Sequence, residues 1–190
     1  MKNINPDEGV RRGLILAALD ELLEHGVTDF SLRRVATAAQ VSCAAPYRHF
    51  KSKEELIAET ARYITSKWSL LAAQIVSAHG ADPERTLTEL SVAALKFWVA
   101  NGNFRSLLLP GAESPLGEEM KKFDSPILRY SDLVADAAGL TAPEREARRS
   151  FILSVIYGGV VLAGSGKLSP EDAATAVREE ICAIIRYSKF

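Results

Sequence analysis

The sequence predicts an all-α protein of about nine helices, and three observations predict it. Apolar residues recur three and four positions apart through most of the chain, the period of one helix face. Helix-start signals, in which Ser, Thr, Asp or Asn precedes Pro or an acid, alternate with helix-stop glycines. Period-two alternation, the mark of a half-buried strand, never runs to a useful length. With 190 residues, 47% of them hydrophobic, there is material for a core in one large or two small domains.

Each element has a local reason. Asn5-Pro6-Asp7-Glu8 offers an N-cap, a proline at the first helical position and acids behind it. Leu14, Ala18 and Leu22, with Ile15, Leu19 and Leu23 beside them, continue that first helix until Gly26 supplies a left-handed stop. Ser31 caps a short second helix, Leu32 to Ala39, with Phe30 and Val35 in staple positions. Gln40-Val41-Ser42 is a turn, and Ser42 can cap a third helix with Pro46 near its first turn. Ser52 and Glu55 form a capping box for a long fourth helix whose stripe is Ile57, Ala61, Ile64, Trp68, Leu71 and Ile75, closed by Gly80.

A second region follows. Asp82-Pro83 starts a fifth helix through Leu87, Leu90, Ala94 and Trp98 to about Asn101-Gly102. A short helical piece is expected over residues 103–109, then a loop over 111–117. Ser114-Pro115 and Ser125-Pro126 both read as helix starts, so the seventh helix should be broken or restarted near Pro126. Thr141-Ala142-Pro143-Glu144 opens an eighth that runs to about Gly164, and Ser169-Pro170-Glu171-Asp172 opens a ninth.

Charge is distributed unevenly. Between Ser31 and Lys53 stand Arg33, Arg34, Arg48, Lys51 and Lys53 with no acid, so the segment carries +5 while the remainder carries −6. A compact cationic helix pair on a mildly acidic chain points to a polyanion contact confined to one end. Two short helices joined by a tight turn also fit the helix-turn-helix pattern.

The motif is specific enough to resemble a known family. Val41-Ser42, Tyr47-Arg48-His49-Phe50, Lys53-Glu54 and Leu56 stand in the register of the TetR family of bacterial transcriptional regulators. Ser31-Leu32-Arg33-Arg34-Val35-Ala36 is similar to the family's second helix. The resemblance covers about residues 9–58; beyond Thr60 only helical pattern and length agree. It implies a three-helix DNA-binding domain over residues 1–51 and a larger helical effector-binding and dimerisation domain over 52–190. The implied protein is a homodimeric, ligand-responsive regulator, most often a repressor, on a palindromic double-stranded operator.

Roles follow from how such helices dock, with N-terminal residues at base edges and flanking groups on phosphates. Cys43, Ala44 and Ala45 are then base-facing, and Arg33 or Arg48 carries the polar readout. Ser31, Ser42, Tyr47, His49 and Lys53 are the expected phosphate contacts. Plainer readings stand beside these: Ser31 and Ser42 as caps, Tyr47 packed on the first helix, Arg34 and Lys51 as solvated charges, Phe50 as core.

For the unknown small-molecule effector, Trp68, Trp98, Phe104, Phe123, Tyr130 and Tyr157 offer aromatic walls, and Arg105 a polar anchor. The dimer seam is expected from Phe151, Val155, Gly158, Gly159 and Leu162 on one helix and Val177, Ile181, Ile184 and Ile185 on the next.

Other classes find little in the chain. Cys43 and Cys182 match no zinc or redox spacing, so neither metal nor cofactor is expected. No Gly-rich phosphate loop or nucleophile elbow occurs, which argues against an enzyme. No apolar run approaches the roughly 18 to 20 residues a membrane span needs, and Met1–Glu8 lacks the apolar stretch of a secretory signal, so a cytoplasmic protein is expected. Control by a protein partner, or by no effector, is the remaining alternative.

Overall fold

A computed structural model describes residues 6–101 and 115–187, and every described element is helical. The helices are α1 (Pro6–His25), α2 (Leu32–Ala38), α3 (Ala45–His49), α4 (Lys53–His79), α5 (Pro83–Ala100), α6 (Pro115–Ala137), α7 (Ala142–Gly164) and α8 (Pro170–Arg186). Eight helices therefore stand among the described residues; the short piece expected over 103–109 lies outside them.

The chain divides into two compact units, one of residues 1–66 with 103–121 and the other of residues 67–102 with 122–190. The first unit is built on α1, α2, α3 and the start of α4. Leu14, Ala18 and Leu22 of α1 are buried, as are Phe30, Val35, Ala36, Phe50 and Leu56. Gly26 ends α1 at φ 71°, donating its N–H to the Leu22 carbonyl at 3.0 Å. Gln40 ends α2 in the same left-handed region, at φ 57°. Its N–H reaches the Thr37 carbonyl and that of Val41 reaches Ala36, the paired bonds of a Schellman stop.

The third helix departs from expectation. It begins at Ala45 with Ala44 as its N-cap and no side-chain cap, so Ser42 does not cap it. The Ser42 carbonyl instead accepts from the Ala45 N–H at 2.8 Å, closing a turn that leaves α3 five residues long. Ser52 does cap α4, taking the Glu55 N–H on its Oγ at 3.2 Å. The Glu55 carboxylate, however, accepts from the Lys51 N–H.

In the second unit α5, α7 and α8 pack on one another. The inner face of α7 is Ile152, Ile156 and Val160, that of α8 Val177, Ile181 and Ile184, and that of α5 Leu87, Leu90, Ala94 and Trp98. Gly159 makes the α7 contact close: a Cβ there would lie 2.5 Å from Leu95 Cδ1 and 3.1 Å from Val177 Cγ2.

Helix α6 corrects a second expectation, for it runs unbroken through Pro126 and already includes residues 115–117 of the expected loop. An interior proline removes one helical N–H and crowds the preceding turn. The lost bond is the one to the Lys122 carbonyl, while the neighbouring Phe123 carbonyl accepts from the Trp68 indole at 2.8 Å. Helix α7 corrects a third. Among the described residues it alone is long and apolar enough to cross a membrane. Much of its apolar surface is open, with Phe151, Val161 and Leu162 all exposed.

Candidate nucleic-acid interface

The residues expected to face DNA separate into exposed and enclosed groups. Arg33, Ser42, Cys43, Ala44, Tyr47 and Arg48 are exposed, and Tyr47 most plainly so at 66%. Tyr47 is therefore not packed on α1. Ala45 is the correction: it is 2% exposed, turned into the core beside Pro46, and its methyl cannot meet a base. A helix of one and a half turns has room for one buried face, and here that face is Ala45–Pro46.

The flanking groups are held by neighbours. Ser31 caps α2, its Oγ accepting the Arg34 N–H at 3.4 Å. His49 is largely covered, with Nε2 3.6 Å from the Asp7 carboxylate of α1. Lys53, the first residue of α4, sets its ammonium 5.6 Å from the centre of the Phe30 ring. Arg11 lies 5.1 Å over the Phe50 ring, keeping Phe50 in the core as expected. Asp7, Val10, Val41, Ser42, Ala45, Arg48 and His49 line a cavity of about 580 Å³ between α1 and α3.

Two acids escaped the sequence reading. Glu21 is 7% exposed and binds Arg34, so Arg34 is not a plain solvated charge. The available signal was its position, seven residues after Leu14 on the buried stripe of α1. Asp124 of α6 accepts the Tyr157 hydroxyl at 2.5 Å, and burial pushes its carboxyl up to about 6. No periodic signal marks Asp124.

The expected effector residues gather in the second unit. Trp68, Phe97, Trp98 and Phe123 form one ring cluster, with Trp68 stacked on Phe123 at 4.5 Å and Trp98 tilted on it at 4.8 Å. Trp68, Trp98 and Phe123 are at most 1% exposed, and Tyr130 is 5% exposed. The indole N–H of Trp98 has no hydrogen-bond partner among the described residues. Phe104 and Arg105 lie outside the described residues. A separate groove of about 610 Å³ runs between α5 and α8, with Val92, Leu95, Val99 and Ala174 as its apolar lining and Lys96 and Arg178 at its edge.

The expected dimer residues also divide. Val177, Ile181 and Ile184 are buried in the protomer, so this stripe faces its own core and Ile185 is only half-buried. Gly159 likewise touches α5 and α8 of its own chain. Phe151 and Leu162 remain open at 48% and 39%, with Val161 beside them at 57%. Gly158 is also open and Val155 half-buried.

Residues 14–60 match the family model for bacterial regulatory proteins of the tetR family. The likeness of these residues is to transcription regulators, and the rest of the chain lies outside the match. A Rhodococcus transcriptional regulator is similar in structure at TM-score 0.72 and 26% identity, over 93% of this chain and 96% of that one. NalD, the secondary repressor of the MexAB-OprM multidrug efflux pump in Pseudomonas aeruginosa, is similar at TM-score 0.66 and 20% identity, over 93% and 96%. The transcriptional regulator FadR from Bacillus subtilis, solved with stearoyl-CoA, is similar at 0.71 and 13%, over 94% and 99%. No curated protein matches the chain.

Proposed function

We propose that the protein is a ligand-responsive repressor that binds a palindromic operator as a homodimer. One observation carries the reading: in the family-matched segment, Arg33, Ser42, Cys43, Ala44, Tyr47 and Arg48 are all exposed on one helix-turn-helix. Arg33 and Arg48 read bases, since a guanidinium can take guanine O6 and N7 together, an interaction of about 1–3 kcal/mol. Ser31, Ser42, Tyr47, His49 and Lys53 hold phosphates; for His49 this requires turning from Asp7. Cys43 and Ala44 contribute apolar contact.

The open face of α7, with Phe151, Gly158, Val161 and Leu162, supports pairing of two copies about a two-fold axis. Such pairing would set two recognition helices about 34–36 Å apart, or a multiple of a turn, matching two half-sites. The effector is assigned to residues 67–190, where Trp68, Trp98, Phe123, Tyr130 and Tyr157 supply rings and the Trp98 N–H, unpartnered among the described residues, a donor. Helix α4 contributes residues to both compact units, so a ligand that favours one position of α4 shifts the DNA-competent population. A second reading, control by a protein partner or no effector, is favoured by the mutual packing of Trp68, Trp98 and Phe123.

Duplexes enriched from a random pool by the wild-type protein test this directly. Lys53→Ala should weaken binding and flatten the plot of log affinity against log salt by about 0.9, the release of one phosphate's counterion. Failure of the wild type to enrich or retain any duplex at low ionic strength overturns the DNA-binding reading. A thermal-shift panel that includes stearoyl-CoA addresses the effector. A melting temperature raised by one ligand supports ligand control, and a flat panel favours the second reading.

A further inference from the structure

Arg34 lies in the most cationic stretch of the chain, yet its charge is already engaged. Its Nε donates to both Glu21 carboxylate oxygens, at 2.8 and 3.0 Å, and its Nη2 lies 2.6 Å from Oε1. The same Nη2 also donates to the Asp29 carbonyl and meets the Asp29 carboxylate at 3.2 Å. Glu21 Oε1 further accepts the backbone N–H of Ser31 at 2.9 Å. One buried carboxylate of α1 thus grips α2 twice, at its N-cap amide and at the third residue of its first turn.

A seven-residue helix has little stability alone, so its orientation is set by what it touches. Val35 and Ala36 bury one side of α2 and the Glu21–Arg34 fork fixes another, leaving Arg33 on the open side. We infer that Glu21 and Arg34 are positioning residues for DNA docking: the pair sets the rotation of α2 that aims Arg33, and Arg34 is not itself a phosphate contact. The inference rests on the DNA-binding reading above and adds to it the group that orients the reader. A planar fork is required, because a lysine ammonium cannot take both carboxylate oxygens in fixed geometry.

The full chain is tested against the enriched duplex and a mixed-sequence duplex of equal length, in a salt series, with folding checked by far-ultraviolet circular dichroism. Arg34→Gln should lower affinity for the enriched duplex about tenfold and leave the salt slope and mixed-sequence affinity unchanged. Arg34→Lys should not restore it. Glu21→Gln should show the same loss, and the double variant should be no worse than either single one, since the two act as a unit. If the Glu21 variant fails to fold, the exposed Arg34 variants still decide the matter. A slope flattened by about 0.9 in Arg34→Gln, with recovery in Arg34→Lys, would make Arg34 a phosphate contact and overturn the inference. Folded variants with unchanged operator affinity would overturn it too, leaving the pair a stabilising contact only. A wild-type protein that enriches no duplex defeats the DNA-binding reading itself, and the inference with it.

Discussion

Burial of the Asp124 carboxyl raises its pKa to about 6, because desolvation disfavours the charged form more than the Tyr157 hydroxyl favours it. Between the ordinary value of 3.8 and about 6 the folded state therefore holds a proton that the unfolded state has released. Stability attributable to this group is full below that window and falls as pH rises through it, by about 3 kcal/mol at most. Asp124→Asn removes the titration and keeps an acceptor for Tyr157. The variant should gain stability relative to wild type as pH rises from 4 to 6, in urea unfolding at each pH. A difference that stays constant with pH would mean that Asp124 titrates normally. Gln40 shows the same dependence on surroundings in the backbone: a side chain that ordinarily avoids φ 57° is held there because the two Schellman bonds need that conformation.

At the scale of elements, α6 continues through Pro126, and one carbonyl of the turn before it, that of Phe123, accepts from the Trp68 indole of α4. Removing that partner should be costly. Trp68→Phe leaves the Phe123 carbonyl buried without the indole donor, a loss of about 1–3 kcal/mol plus the smaller ring's cavity. The loss is read by comparing denaturant midpoints of the wild type and the variant. An unchanged midpoint would mean that neither the indole bond nor the packing of its ring supports the fold. Local rules read most helices well: Asp82 caps α5 through the Arg85 N–H at 3.0 Å, and Ser169 caps α8 through Asp172 at 3.0 Å. At Thr141 the Glu144 carboxylate accepts both backbone N–H and hydroxyl, so the α7 start was equally legible. These rules failed at α3, where the Ser42 carbonyl and not its side chain closes the turn, and at Pro126, which α6 carries in its interior.

For the whole molecule, the apolar face of α7 has the clearest consequence. Val161→Glu introduces a charge at a position 57% exposed, so the protomer itself should fold with little change. A dimer using this face would bury that charge without a partner, and the variant should run as a monomer in light scattering. Its operator affinity should drop together with its mass, because one recognition helix then docks alone. An unchanged dimer mass would move the interface elsewhere. The sequence by itself determined the all-helical class, most helix starts and stops, and the family-bearing motif from Val41 to Leu56, since these depend on residues within a few positions of one another. Only the tertiary structure decided that Ala45 and the Val177–Ile184 stripe turn inward and that both tryptophans pack on Phe123. It also decided that Arg34 answers to Glu21. Those outcomes join residues 13 positions apart, as in Arg34–Glu21, or 55, as in Trp68–Phe123. Helical period assigns a residue to a face, but which face is buried depends on the elements that pack against it.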